Sequence, residues 1–357
     1  MDHRLRRTRL ASRLVELGGD GILLTRLPNV RYTTGFTGSN GQVLLTPDDT
    51  VFFTDGRYTE QARHEVPDLE RVTYVDGFLE PVVRTARRLG VGRLGFESEG
   101  VTFQTYQELR DAAEGVELVP VRGVVEGQRW AKDPEELAAL ERAQAATDEA
   151  FDAVVRRLRD GMSERELAFE LEAEMRRAGA EGPAFDTIVA FGESAAEPHH
   201  EPTGRTLSPA DVVKMDFGAR VDGYHADMTR TVAFGQPPDR LRDLHFLVRS
   251  AQQAGIDAVR VGATGAEVDA AARSVIEDAG LGESFPHGLG HGVGLEIHEG
   301  PRLRRGSEDV LPAGAVVTVE PGVYLPGVGG VRIEDMVEVR VDGGRPLPRS
   351  GRDLFPA

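Results

Sequence analysis

Apolar and polar positions follow two different periods along the first third of the chain. Apolar residues recur at helical spacing over residues 4–17, and the pattern stops at Gly18-Gly19. Short apolar runs at 22–24, 43–46 and 51–54 predict strands, the last two joined by a Pro47-Asp48-Asp49 turn. Helical patterns follow over 58–65, 78–89 and 103–113, with a strand at 94–96 before the last of them. Strands and helices mixed in this way predict a compact α/β unit. From Val121 to Trp130 the chain carries two glycines and no clear period, so the boundary is placed there: residues 1–127 form one domain and 128–357 the other.

The second domain opens on a strong helix signal. Asp133-Pro134-Glu135-Glu136 supplies an N-cap, a proline at the first helical position and an acidic third residue. Apolar or semi-apolar positions then recur at Leu137, Leu140, Thr147, Phe151, Val154 and Leu158, and the pattern predicts a helix running to Gly161. Ser163 and Glu166 form a capping-box signature for the next helix, which ends at Gly179. That motif returns. Gly161-Met-Ser163-Glu-Arg-Glu166-Leu167 parallels Gly262-Ala-Thr264-Gly-Ala-Glu267-Val268, and Ala178-Gly179 parallels Ala279-Gly280 at the same offset. The agreement at both ends predicts an internal duplication with strands after each copy.

Composition adds exclusions. At 357 residues the chain exceeds what one core usually serves, in keeping with two domains. A net charge of -17 argues against nucleic acid, which needs clustered Lys and Arg. Basic residues are nearly all arginine, Lys132 and Lys214 being the only lysines, which reads as genomic bias. No cysteine is present, so disulfides and thiolate metal sites are ruled out, and a reducing compartment costs this chain nothing. The charged N-terminus lacks the apolar stretch of a signal peptide, and no apolar run reaches the length of a membrane span. A cytoplasmic protein is the expectation.

Candidate chemistry concentrates in the second domain. Asp216 and Asp227 stand eleven positions apart on either side of Asp222-Gly223. Residues 212–217 and 228–232 read as arms of a β-hairpin. With Asp222-Gly223 as a two-residue turn, Asp216 lies opposite Thr229, and Asp227 shares its face. Such diagonal neighbours sit on the order of 7 Å apart, which suits carboxylates reaching towards a metal pair. Alone, the pair also fits two solvent-facing acids beside a turn.

The histidines change the balance. His287, His291 and His298 fall within twelve positions of a chain that holds nine histidines. Gly288, Gly290, Gly292 and Gly294 deny a stable helix there and predict a turn or strand crossing where backbone comes close to a site. Glu320 ends an apolar strand over 316–319, and Glu334 sits in another over 331–339. Acids in such strands need partners to offset desolvation. The whole set is what two adjacent divalent cations need for ligands, and it points to a metal-dependent hydrolase.

At these residues the sequence resembles the pita-bread metallopeptidases, in particular the Xaa-Pro aminopeptidases and prolidases. The motifs are Met-Asp216-Phe-Gly with Ala-Asp227-Met-Thr-Arg-Thr, the run from His287 to His298, Thr-Val-Glu320-Pro-Gly, and Val-Arg332-Ile-Glu334-Asp. Asn29-Val-Arg-Tyr-Thr-Thr-Gly-Phe-Thr-Gly and Asp55-Gly-Arg-Tyr58 resemble the creatinase-type N-terminal domain. The resemblance implies an α/β N-terminal domain followed by an α+β pita-bread domain built on a pseudo-twofold duplication. It also implies Asp216, Asp227, His291, Glu320 and Glu334 as metal ligands, with Asp227 and Glu334 bridging two ions. His199 and His298 would contact the substrate and the developing oxyanion, and His287 would sit on the substrate side or behind the ligands. His200, His3, His64, His225 and His245 are expected at surface or structural positions.

Hard oxygen donors favour manganese, with cobalt or zinc as substitutes. Glu320 is the expected proton shuttle, and Arg332 is expected either to meet a substrate carboxylate or carbonyl or to form a structural salt bridge. The substrates implied are proline-containing peptides, and the implied assembly is a homodimer. A methionine aminopeptidase would lack the extra N-terminal domain. A creatinase or a non-catalytic binding protein would lack the intact ligands. Between an aminopeptidase and a dipeptidase, the short N-terminal domain with Gly-Phe-Thr-Gly favours the aminopeptidase.

Overall fold

The computed structural model describes residues 1–16 and 19–355. The chain divides into two compact units, Met1–Arg129 and Trp130–Ala357. In the first, helix α1 (His3–Glu16) precedes β1 (Gly21–Leu24), α2 (Leu27–Thr34), β2 (Gln42–Leu45) and β3 (Thr50–Asp55). Then come α3 (Thr59–Glu65), β4 (Glu70–Tyr74), α4 (Leu79–Arg88) and β5 (Arg93–Glu97), and the unit closes with α5 (Phe103–Ala112), β6 (Glu117–Val121) and α6 (Glu126–Arg129). The expected end of the first helix at Leu17 and Gly18 lies outside the described residues. The six strands form one sheet in the order β4-β3-β2-β1-β5-β6, with helices against it. β4, β6, α2 and α6 carry no clear period in the sequence. α2 is fixed by long-range partners: the buried Asn29 amide donates to Glu97 and Glu126, and the Arg129 guanidinium donates to its Oδ1.

The second unit is built twice over. Helices α7 (Pro134–Val155) and α8 (Glu164–Arg177) pack together and precede β7 (Gly182–Pro183), β8 (Ile188–Phe191), β9 (Val212–Phe217), β10 (Ala219–Val221), β11 (Tyr224–His225) and β12 (Met228–Ala233). Helices α9 (Asp239–Ala258) and α10 (Gly265–Asp278) repeat the pair. They precede β13 (Gly290–Gly292), β14 (Glu299–Leu303), β15 (Val316–Val319), β16 (Gly322–Leu325), β17 (Gly329–Arg332), β18 (Asp335–Arg340) and β19 (Gly343–Pro346).

The caps show the duplication in hydrogen bonds. Ser163 and Thr264 each close a complete capping box. Each also bridges to a later strand-like segment, Ser163 to Thr206 and Thr264 to Val310. The N–H of Gly161 donates to Leu207 O (2.9 Å) and that of Gly262 to Leu311 O (3.0 Å). This pairing also explains why α7 stops at Val155 rather than at Gly161. Residues 156–161 must turn back so that Gly161 reaches Leu207.

Each half packs its two helices on one sheet. Val213, Met215 and Phe217 of β9 face α7 and α8, so period two sends Lys214 and Asp216 to the opposite face. In the other half Val317 and Val319 of β15 join the core under α9 and α10, leaving Thr318 and Glu320 on the far side. Both sheets therefore turn their polar faces to the same region.

Candidate metal centre

β9 and β12 pair antiparallel with Thr229 opposite Asp216, the register that the Asp222-Gly223 turn dictates. Asp227 lies just ahead of β12. His291 sits in the three-residue strand β13, whose glycines are required by close backbone approach. A Cβ at Gly290 would lie 2.0 Å from the Thr318 carbonyl oxygen, and one at Gly292 would lie 2.0 Å from that of Gly300. Glu320 follows β15. Glu334 falls in the break between β17 and β18, not inside one strand over 331–339. The break lets the Glu334 N–H donate to Thr229 O (3.1 Å) and its carbonyl accept from Arg230 (2.6 Å), which stitches the two halves together.

Asp227, His291 and Glu334 are buried, and each offers a ligand atom within 4.8 Å of the others. Glu320 and Asp216 flank them. His291 Nε2 lies 3.3 Å from Glu320 Oε1 and 3.6 Å from Asp227 Oδ2. Its Nδ1 meets the Gly292 carbonyl at 3.0 Å, so Nδ1 donates there and Nε2 is the ring nitrogen turned to the acids. Thr229 Oγ1 donates to Glu334 Oε2 (2.6 Å) and Thr318 Oγ1 to Glu320 Oε1 (3.1 Å). Asp216 receives the Arg332 guanidinium on Oδ2 at 2.5 Å, while its buried Oδ1 accepts no hydrogen bond among the described residues.

Protonation follows from crowding. Burial pushes Asp227 well above the ordinary carboxylate range, and the charges of Asp216 and Glu320 add to it. Glu334 is raised by burial and then by Asp227, Glu320 and Asp216. Burial also opposes ionisation of Glu320, but its hydrogen bond to His291 and the charges of His291, His287 and Arg332 outweigh it and hold the carboxyl down at about 2. An orphaned acceptor on Asp216, an imidazole nitrogen turned to the acids and two carboxyls forced to keep protons describe a site short of positive charge. Four carboxylates and an imidazole fit divalent metal.

The remaining expected residues ring this cluster. His199 and His298 are exposed, and the His298 ring stacks edge-on against His291 with centroids 4.4 Å apart. Burial and then the charge of His291 push His298 down to about 4, so it is a neutral imidazole near pH 7. The charge of His199 is felt at both His287 and His298. His287 uses both nitrogens, Nδ1 on Gly288 O (2.8 Å) and Nε2 on the Tyr324 hydroxyl (2.9 Å).

Arg332 is 2% exposed and donates to Thr229 Oγ1, Pro198 O, Tyr324 Oη and Asp216, so most of its donors serve the protein itself. His200 is buried between Glu164 (3.0 Å) and Glu197 (2.7 Å), a structural position. Tyr324, Thr229, Thr318 and Lys214 also touch the cluster or its neighbours, and the sequence motifs assign them no role. Period two along β9, β12 and β15, counted from the candidate ligands, points to all but Tyr324.

Residues 138–340 match the model of metallopeptidase family M24, and residues 6–130 match that of the creatinase/prolidase N-terminal domain. The Xaa-Pro dipeptidase from Bacillus anthracis, a solved structure, superposes with a TM-score of 0.96 at 40% identity over 99% of each chain. The X-Pro aminopeptidase from Thermotoga maritima superposes with a TM-score of 0.91 at 36% identity, covering 98% of this chain and 99% of that one. The Xaa-Pro dipeptidase of Pyrococcus horikoshii is 35% identical over 94% of each chain. The architecture is thus the expected one, an α/β N-terminal domain followed by a duplicated α+β pita-bread domain.

Proposed function

The chain belongs to metallopeptidase family M24, and from that premise we propose that it is a Xaa-Pro dipeptidase, a prolidase, working with two divalent metal ions. The observation that carries the metal reading is the buried Asp227–His291–Glu334 cluster with its unmet need for positive charge. The dipeptide preference rests on relatives. The domain length that favours an aminopeptidase does not discriminate, because the Xaa-Pro dipeptidases of Pyrococcus horikoshii and Bacillus anthracis align over 94% and 99% of this chain, N-terminal domain included.

Asp216, Asp227, His291, Glu320 and Glu334 would hold the metals, with Asp227 and Glu334 shared between them. Bound there, the metals would supply Lewis acidity and ease deprotonation of a water near neutral pH. Glu320 stays ionised and keeps Oε2 clear, since Thr318 and His291 both meet Oε1; that oxygen takes the water's proton and returns it to the leaving proline nitrogen. His298, neutral, donates one N–H to the developing oxyanion, and His199 faces the same region from the other half. Arg332 orients Asp216 and the Pro198 carbonyl. Tyr324, pushed up to about 12 by burial, remains a phenol and fixes His287.

Manganese is the proposed metal on ligand hardness. A homodimer and a cytoplasmic setting belong to the same proposal; no described helix is long and apolar enough to cross a membrane. Side-by-side hydrolysis of Xaa-Pro and Xaa-Pro-Xaa peptides tests the specificity. A dipeptidase cleaves the first and leaves the second, and efficient release of the N-terminal residue from the tripeptide would make the enzyme an aminopeptidase.

A further inference from the structure

The chain has 42 basic residues, and only Lys132 and Lys214 among them are lysines. Lysine is almost never fully buried unless paired. Both of these are: Lys214 is 0% exposed and the Lys132 side chain 1%. We propose that the two lysines are positioning residues for the two candidate catalytic histidines, Lys214 for His199 and Lys132 for His298. The inference rests on the reading of those histidines as catalytic.

Lys214 lies on β9, two residues from Asp216 and on the same face. Its Nζ donates to the carbonyls of Ala195 (3.2 Å), Glu197 and Pro198 (3.5 Å), all within the four residues ahead of His199. An ammonium has three N–H bonds and a neutral amine two, so either form holds at least two of these carbonyls. Arg332 donates to the same Pro198 oxygen at 3.1 Å, and the Tyr324 ring lies 5.3 Å from Nζ. A compact donor fits among these neighbours where a planar guanidinium would not. The strand that carries Asp216 thereby sets the place of the exposed His199.

Lys132 does the equivalent on the other side. Its Nζ donates to Glu299 Oε1 (2.7 Å) and to Trp130 O (3.3 Å), and its backbone N–H donates to Gly314 O (3.0 Å). Glu299 is the residue after His298. The next residue, Gly300, packs close to the Trp130 indole, where a Cβ would come within 2.3 Å of Nε1. His298 is exposed, and the segment beneath it is pinned by these contacts.

The test is a set of double-mutant cycles on the metal-loaded, full-length enzyme, reading kcat, KM, metal content and melting temperature. Lys214→Met should lower kcat roughly 10- to 100-fold, the scale of a small misplacement, with KM and metal content near wild type. In a His199→Ala background the same change should cost less than about threefold, while in a His298→Ala background it should keep its full effect. Lys132→Met should show the mirror pattern, quenched by His298→Ala and not by His199→Ala. Lys214→Arg, which keeps the charge and loses the compact geometry, is expected to behave as Lys214→Met and serves if that variant folds poorly. Equal fold-losses in matched and mismatched backgrounds would mean that the lysines act on stability alone, and would overturn the inference. If His199→Ala and His298→Ala alone leave kcat intact, the catalytic reading itself fails and the inference falls with it.

Discussion

Replacing Asp227 with asparagine should stabilise the metal-free protein and weaken the metal-loaded one. Ligand atoms of Asp227 and Glu334 lie within 4.8 Å of each other. At an effective dielectric of about 20, two unit charges 4.8 Å apart repel by roughly 3.5 kcal/mol, which a shared proton lowers. The sign follows from the protonation states. Both carboxyls are raised above their ordinary values of 3.8 and 4.5, so the native state holds protons that the unfolded chain has released. Stability of the metal-free enzyme therefore falls as pH rises from near those values through the raised ones. Asp227→Asn removes one of the two charges and flattens that fall. With metal the order reverses, because an amide is a poor bridging ligand. Thermal unfolding between pH 4 and 8, with chelator and with saturating manganese, reads both effects, and mass spectrometry gives the metal count. An Asp227→Asn variant that is less stable than wild type without metal at pH 8, and still binds two ions, would refute the reasoning.

Further outcomes follow from the same geometry. His199→Ala should keep its metal and lose turnover by roughly 100-fold or more, measured as kcat on the metal-loaded protein; a near-normal rate would remove His199 from the chemistry. His200→Ala should act on stability instead. Burial disfavours the charged imidazole, but hydrogen bonds to Glu197 and Glu164 outweigh it and raise its pKa above 6.5. That contribution is full below 6.5 and fades as pH rises through the raised value, so the melting-temperature gap between wild type and variant should narrow with rising pH. Gly290→Ala forces a methyl onto the Thr318 carbonyl; it should cost about 1–3 kcal/mol in denaturant unfolding and lower metal content through the displaced His291.

Local chemistry made much of this fold legible. The three capping boxes start α7, α8 and α10 where side-chain spacing put them, because a cap is decided within four residues. The Asp216–Thr229 register was readable for a similar reason: a tight turn and a period of two leave one pairing. What was not readable depends on distant partners. α2 owes its place to Glu97 and Arg129, far along the chain. The end of α7 is set by Leu207, and the break before Glu334 by Thr229 and Arg230. Lysine scarcity looked like composition alone, and only burial gave Lys132 and Lys214 a place beneath two histidines. His200 and His199 are neighbours of one residue type, and nothing local tells the inward ring from the outward one.

Hydrolysis by a two-metal centre is tested most directly by titrating metal into stripped enzyme. With Xaa-Pro hydrolysis followed as manganese is added, activity should be absent at the start and should level off at two ions per chain. Full activity without metal, or a plateau at one equivalent with the second ion unbound, would contradict it.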